Sequence, residues 1–151
     1  IKPVCEFIEQ QYFKVFSNRD YKSANELTLK TIFLTLLYNN ILYIMDSEQE
    51  VGRGYADLTM IIRPDMRQYD ILDVLLEFKF VHLNQANMTG EQAKKLSREE
   101  LEAIPDMQAK MKEAEEQLTR YGAALEKKYN NLRLKKFAVV SLGFERLWTK
   151  E

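Results

Sequence analysis

The fold of this chain is decided by residues 71–82, which read ILDVLLEFKFVH. Such a run of apolar, β-branched and aromatic residues predicts a β-strand. Because side chains alternate along a strand, Glu77 and Lys79 point to one face of the sheet, whereas Phe78 points to the other. Burying a carboxylate and an ammonium group costs free energy unless they pair or bind a ligand. This strand therefore marks a candidate site.

Two further strands are predicted before it. Residues 41–45 are β-rich, and the polar residues 46–50 are either their continuation or a turn. The glycines of 52–54 give the strongest turn signal in the chain, and a second strand follows over 55–63. A break at 64–68, which begins with a proline, ends that strand. Three successive strands joined by short turns predict an antiparallel meander.

The other elements are predicted from helical periodicity and from one more apolar run. The predicted class is α/β (mixed α+β), in the order α-α-β-β-β-α-β, with a central mixed sheet that contains the meander and is flanked by helices. We expect one domain over 1–151, with a helical extension at 1–20 and an insertion at 84–106 that carries one short helix after Ser97. The remaining predictions are helices over 4–16, from Ser23 or Asn25 to 39–40, and over 107–129, and strands over 136–142 and 144–148.

Composition excludes several classes of protein. The 151 residues suit a single core, and 46% hydrophobic with 30% charged residues suits a globular domain. Lys+Arg 22 against Asp+Glu 23 gives a net charge of −1, so this is not a polycationic nucleic-acid coat. One Cys and one His exclude an internal disulfide, a cysteine zinc cluster and multi-histidine metal sites. Carboxylates and lysines must therefore supply most of any chemistry.

We expect neither a membrane span nor a secretion signal. The chain has no run that approaches the roughly 18 to 20 consecutive apolar residues of a transmembrane helix. It begins at Ile1 rather than Met, so we expect a domain of a longer, cytoplasmic protein.

A register argument gives Glu77 a partner. If the second and third strands form a hairpin with its turn near residue 67, facing residue numbers sum to about 134, and Asp57 lies opposite Glu77. Facing Cβ atoms are about 5 Å apart, and two carboxylates this close repel each other unless a cation lies between them. Oxygen ligands at this separation suit Mg²⁺ or Mn²⁺. Lys79 would hold a water or balance a phosphate, and Glu26 would supply a third carboxylate from a helix.

A second aspartate, Asp65, follows Pro64 and completes a Pro-Asp…Glu-x-Lys string with Glu77 and Lys79. The same register places Asp65 in the turn, separated from Glu77 by eight residues of strand at about 3.3 Å each. Asp57 is therefore the predicted ligand, and Asp65 is not.

The candidate residues, and two further polar or aromatic residues, also have purely structural interpretations. Asp57 and Glu77 would be surface carboxylates on a solvated sheet face, with Lys79 as an ion-pair partner. Glu26 would be a helix-dipole residue in the first turn of a helix. Tyr121 would be a core residue, and His82 a surface residue at the end of a strand.

Taken together, Glu26, Asp57 and the sequence Glu77-Phe78-Lys79 resemble the PD-(D/E)XK nuclease superfamily. GRGYADL at 52–58 and LLEFK at 75–79 look most like the nuclease-like domain at the C-terminus of bacterial AAA-ATPase-like proteins. QLTRY at 117–121 is similar to the Gln-x-x-x-Tyr element of RecB-type members. Ala56 departs from the pattern, because a proline usually precedes the aspartate.

The resemblance implies a restriction-endonuclease-like core and a role for each matched residue. Asp57, Glu77 and the Phe78 backbone carbonyl would bind Mg²⁺ or Mn²⁺, and Lys79 would be the catalytic lysine. The acid on the first core helix would be Glu26. The remaining implied site residues are Gln117 as a catalytic residue and Arg53, Arg120 and Tyr121 as substrate contacts.

The implied reaction is metal-dependent hydrolysis of phosphodiester bonds in nucleic acid, with DNA favoured. The alternative is a catalytically inactive module of the same fold that binds nucleic acid or a protein partner. An ATPase domain in the same polypeptide is the implied partner, and cutting both strands of a duplex would favour a homodimer.

Overall fold

The computed structural model describes residues 1–16, 23–51 and 54–151. The turn predicted at 17–20 and the candidate substrate contact Arg53 lie outside the described residues. None of the described helices is long and apolar enough to cross a membrane.

In chain order the elements are α1 (Lys2–Phe7), continued by a π-helical turn (Ile8–Tyr12) and a 3₁₀ turn (Phe13–Val15), α2 (Glu26–Leu37), β1 (Tyr43–Val51), β2 (Gly54–Ile62), a 3₁₀ turn (Pro64–Met66), β3 (Asp73–Val81), α3 (Gly90–Lys95), α4 (Arg98–Glu102), α5 (Pro105–Lys128), β4 (Leu134–Leu142) and β5 (Arg146–Lys150).

The five strands form one mixed sheet in the order β1-β2-β3-β4-β5. All neighbouring strands are antiparallel except β3 and β4, which run parallel. A parallel pair needs a long crossover connection, and α3, α4 and α5 supply it. The predicted mixed sheet, with its antiparallel meander and flanking helices, is therefore confirmed.

The predicted register of the meander is also confirmed. Leu58 pairs with Leu76, Thr59 with Leu75 and Met60 with Val74, so each pair sums to 134. The turn that sets this register is centred near residue 67, where a 3₁₀ turn begins with Pro64 and a tight loop returns the chain to β3.

The sheet separates two apolar layers. Leu75 and Val81 of β3 pack with α5 on one face, whereas Leu76 and Phe78 pack with α1 and α2 on the other. Strand β4 is covered on both faces, as its nearly continuous apolar sequence predicts. Because the helical start of the chain contributes buried residues to the second layer, it is part of the core. Those residues are Cys5, Ile8 and Phe13.

The segment 84–106 differs from the prediction in its helix content. It contains two short helices, of which only α4, after Ser97, was expected. The missed helix α3 begins with a capping box in which Thr89 and Gln92 satisfy each other's backbone amides. Ala93 and Leu101 of these helices are fully buried in the apolar cluster to which α5 also contributes, so the segment completes one apolar layer.

The structure decides one open alternative and corrects one strand boundary. The polar residues after Met45 continue β1 as far as Val51, which is the first of the two predicted alternatives. Strand β5 begins at Arg146 rather than at 144, because Gly143, with φ +54°, and Phe144 form the turn after β4.

A single buried carboxylate ties three strands together at the end of the sheet where the β2–β3 loop lies. Asp73 is fully buried and accepts the amide of Ile62, the last residue of β2, at 2.8 Å. It also accepts the amide of Arg133, just before β4, at 2.9 Å. The guanidinium of Arg67 binds both carboxylate oxygens, at 2.7 and 2.9 Å. Asp73 therefore fixes the register of β3 against both of its neighbours.

Two charged side chains bind the backbone of β5 at Leu147. The amide of Leu147 donates to the Glu9 carboxylate, and its carbonyl accepts from Arg98 Nη1 at 2.9 Å. These two side chains come from the start of the chain and from α4, so they also attach both segments to the sheet.

We predict that Asp73→Ala lowers the free energy of unfolding by about 3 to 5 kcal/mol, because it leaves buried donors and the Arg67 charge without an acceptor. Urea denaturation followed by circular dichroism measures this. The matched control is Asp70→Ala, which removes a fully exposed carboxylate that lies 3.7 Å from Arg133 and should leave the denaturation midpoint essentially unchanged. A loss below about 1 kcal/mol for Asp73→Ala would contradict the role given to this carboxylate.

Candidate functional site

Helix α2 carries an acid and a base toward the sheet. Its first turn is set by Asn25, whose side chain accepts the Thr28 amide at 3.1 Å, as expected for an N-cap residue. Glu26 is the first residue of the helix and Lys30 follows four residues later, so both lie on one helix face. Lys30 is only 5% exposed, which is rare for a lysine without a charged partner.

Strands β2 and β3 bring the two predicted carboxylates together. The ladder between them ends at Leu58 and Leu76, and the same register places Asp57 opposite Glu77. At this point Asp57 Oδ2, instead of a backbone carbonyl, accepts the amide of Phe78 at 2.8 Å. Because the N–H and C=O groups of one strand residue point to the same side, the Phe78 carbonyl faces β2 as well. Asp57 is 7% and Glu77 1% exposed, so the solvated-surface interpretation of this pair is wrong.

Lys79 links Glu77 to the helix. Its Nζ donates to Glu77 Oε1 at 3.1 Å and lies 3.9 Å from Glu26 Oε1. Lys79 is itself buried, whereas Glu26 is partly exposed. The structure therefore brings Glu26, Asp57, Glu77 and Lys79 into one cluster, although they come from three different elements.

A second lysine occupies the other side of Asp57. Lys30 Nζ pairs with Glu48 Oε1 and lies 3.9 Å from Asp57 Oδ1. Glu48 is opposite Asp57, because Ser47 pairs with Leu58 and Gln49 with Ala56 on either side. The backbone of Glu48 is left-handed, with φ +56°, which costs a non-glycine residue about 1 to 2 kcal/mol. Such strain is typical of functional sites.

Sequence reasoning missed both Lys30 and Glu48. Lys30 lies in an apolar helical segment beside Leu29, and an isolated lysine in such a segment was the available signal. Glu48 belongs to a polar run that is typical of a solvated turn. Its left-handed backbone has no local sequence signal, because its partner Lys30 lies on another element.

Burial and mutual repulsion raise the pKa values of the acids. Burial, and then the negative charge of Asp57, raises the pKa of Glu77 to about 7, although Lys79 and the backbone amide of Asp57 oppose the shift. Burial also raises the pKa of Asp57, against the lowering effects of the Phe78 amide and the two lysines. The pKa of Glu26 is raised by burial as well. Burial is thus the largest cause of the raised pKa in all three acids.

Lys79 is held in its charged form. Burial alone would lower its pKa, but the charges of Glu77, Glu26 and Asp57 outweigh that effect and raise the pKa. The side chain therefore acts as a fixed ammonium donor beside the carboxylates.

Helix α5 contributes the other predicted residues. Gln117 and Tyr121 lie one turn apart on one helix face. Tyr121 is 3% exposed and packs in the core, and a Cβ atom built on Gly54 would lie 2.6 Å from its hydroxyl oxygen. A side chain at Gly54 would therefore have to displace the Tyr121 ring. Arg120 donates to the Tyr121 hydroxyl at 2.9 Å and lies over its ring.

Two of the predicted residues have buried oxygen atoms that lack a partner. Within the described part of the chain, Glu77 Oε2 and Gln117 Oε1 accept no hydrogen bond. A buried carboxylate oxygen without a donor costs free energy unless a ligand satisfies it. For Glu77 the missing partner suits a hard cation, since the facing Asp57 carboxylate and the Phe78 carbonyl offer the oxygen ligands that Mg²⁺ and Mn²⁺ prefer.

The residues fit a metal ion for which the protein supplies only some of the ligands. Among residues 1–16, 23–51 and 54–151, no group of three or more His, Cys, Asp or Glu side chains is arranged as a metal site. Mg²⁺ is commonly held by one or two carboxylates together with waters and substrate phosphate, and Asp57 with Glu77 meets that requirement.

The remaining candidates lie apart from this cluster. Asp65 is exposed in the β2–β3 turn and is 3.4 Å from Arg63, as the register predicts. His82 is exposed and its ring packs edge-on against Phe80, in agreement with its interpretation as a surface residue.

We predict that stability falls as the pH rises from about 4.5 to 7 in the absence of divalent metal. The pKa of Glu77 rises from 4.5 to about 7 on folding, so the folded state binds the proton more tightly in this window and loses stability when the proton dissociates. Glu77→Gln removes this contribution, so stability should depend less steeply on pH in this variant. Some dependence should remain, because the pKa values of Asp57 and Glu26 are raised as well. Urea unfolding in EDTA across this pH range measures the slope, and equal slopes in the two proteins would contradict the assignment.

A protein-family model for the PD-(D/E)XK nuclease superfamily matches residues 24–151. The match covers α2 and all five strands, and therefore every residue of the cluster described above. No curated protein and no solved structure matches the chain significantly. Since the family model covers most of the chain and the five-stranded sheet with flanking helices agrees with its fold, the chain belongs to the PD-(D/E)XK nuclease superfamily.

Proposed function

We propose that the protein is a metal-dependent nuclease that hydrolyses phosphodiester bonds of DNA. The observation that carries the proposal is the buried pair of facing carboxylates, Asp57 and Glu77, in which Glu77 Oε2 has no hydrogen-bond partner among the described residues. A pair that is purely structural would be satisfied by protein donors, as Asp73 is.

In this proposal Asp57, Glu77 and the Phe78 carbonyl bind Mg²⁺ or Mn²⁺. The bound ion would polarise the phosphoryl oxygens and lower the pKa of a water. Glu26 and Glu77 position the Lys79 ammonium by the two contacts described above. Lys79 in turn orients the attacking water and offsets negative charge that develops on the phosphate.

Residues around the pair would hold the substrate. Gln117 offers a buried amide beside the sheet, and Arg120, supported by the Tyr121 hydroxyl, presents a charged group for a backbone phosphate. Arg53, in the sequence between β1 and β2, is the other proposed phosphate contact. We propose DNA rather than RNA as the substrate because the Gln117 and Tyr121 pattern resembles RecB-type members. We propose an ATPase domain as a partner because the motifs at 52–58 and 75–79 resemble the ATPase-associated domain.

We predict that Asp57→Asn and Glu77→Gln each lower cleavage of DNA by more than about 100-fold, because each removes a metal ligand. Lys79→Met should lower it by about 100- to 1000-fold through loss of the charged donor. Cleavage of labelled single-stranded DNA, duplex DNA and RNA is measured with Mg²⁺, with Mn²⁺ and with EDTA, and circular dichroism checks that each variant is folded.

The matched control is Asp65→Asn, which alters the aspartate that completes the Pro-Asp…Glu-x-Lys string with Glu77 and Lys79 but lies in the exposed turn. It should cleave at the wild-type rate. Full activity in any of the Asp57, Glu77 or Lys79 variants would contradict the proposed roles. Binding of DNA or of a protein without cleavage under either metal would support instead an inactive module of the same fold.

A further inference from the structure

The acids of the site form a series across the sheet. Glu48, Asp57 and Glu77 occupy facing positions on β1, β2 and β3, and we refer to these three as the carboxylate row. A fourth acid, Glu26, lies beyond Lys79 at the end of this row.

The two buried lysines fill all but one of the gaps between these acids. Lys30 lies between Glu48 and Asp57, and Lys79 lies between Glu77 and Glu26. No lysine or arginine of the described chain lies within ion-pair distance of both Asp57 and Glu77. Glu77, which lies on one side of this remaining gap, has a buried oxygen, Oε2, that accepts no hydrogen bond within the described residues.

The charges of the series match one divalent cation. When all are ionised, the four acids Glu26, Glu48, Asp57 and Glu77 carry four negative charges and the two lysines carry two positive charges, which leaves two negative charges uncompensated. A single Mg²⁺ or Mn²⁺ between Asp57 and Glu77 would neutralise them. Facing carboxylates also need a cation between them, and at the Glu48–Asp57 gap the protein provides one itself.

We propose that Lys30 occupies a second cation position between Glu48 and Asp57 and thereby limits the site to one divalent metal ion. This inference rests on the proposed function, because it takes the Asp57–Glu77 gap as the metal site. The strained backbone of Glu48 and the nearly complete burial of Lys30 serve this arrangement. Lys30 is thus a positioning residue that acts on metal stoichiometry through its two acidic neighbours.

The test counts Mn²⁺ ions bound by the whole chain without nucleic acid, from the electron paramagnetic resonance signal of free Mn²⁺ during a titration. The wild type should bind one Mn²⁺. Lys30→Met removes the built-in cation and should bind two, because Glu48 and Asp57 then face each other uncompensated. Lys30→Arg, which keeps the charge, should bind one.

The matched control for the second ion is the double variant Lys30→Met with Glu48→Gln. It removes one ligand of the opened position and should return the stoichiometry to one, which distinguishes a defined site from adventitious binding to surface acids. If Lys30→Met does not fold by circular dichroism, Lys30→Gln replaces it, and the wild-type count remains a test that needs no variant.

Two Mn²⁺ ions in the wild type, or one in the folded Lys30→Met variant, would overturn the role given to Lys30 while leaving the proposed nuclease mechanism in place. A wild-type chain that binds no Mn²⁺ would overturn both, because the Asp57–Glu77 gap would then not be a metal site. A wild-type chain that binds one Mn²⁺ but does not cleave DNA would count against the nuclease function. The same count of one Mn²⁺ would support the inference about Lys30.

Discussion

The arrangement of the sheet depends on the buried carboxylate of Asp73. Because it accepts amides from the end of β2 and from the residue before β4, it fixes β3 against both neighbours at one end of the sheet. A slip of one residue between β2 and β3 would move Asp57 to the opposite face from Glu77. The ladder runs for only three residue pairs before Asp57 replaces a backbone partner. The alignment of the site is therefore set from a distance, by a polar interaction that takes no part in it.

Beyond that short ladder the sheet contains a group of buried charges that an apolar core would exclude. Two lysines and two carboxylates are each less than a tenth exposed, and the Glu48 backbone adds local strain. Such groups lower the stability of the fold unless they are mutually compensated. Proteins tolerate this cost at functional sites, where the same groups must meet a ligand. The apolar layers on both faces of the sheet supply the stability that makes this arrangement tolerable.

Strand periodicity and turn position were sufficient to predict the β2–β3 register and the facing of Asp57 and Glu77, because both depend on residues close in sequence. Lys30 was not predicted as a site residue, since helical periodicity assigns its segment to the core and its partners lie on other strands. Asp73 is, like Glu77, a carboxylate in an otherwise apolar strand, but only its three-dimensional surroundings reveal the donors around it. Helix α3 could have been predicted from Thr89 and Gln92, whose spacing is that of a capping box. Residues whose role comes from long-range pairing were therefore the ones that sequence reasoning missed.

The charged side chains bound to β5 at Leu147 affect how molecules of this protein meet. An exposed sheet edge offers free backbone donors and acceptors to a strand of another chain, and this is a common route to aggregation. At Leu147 both groups are already bound, by Glu9 and by Arg98. An incoming strand would have to displace two charged side chains and leave them desolvated before it gained a single ladder bond. At this position the edge of the sheet is thereby protected from the addition of a strand from another chain.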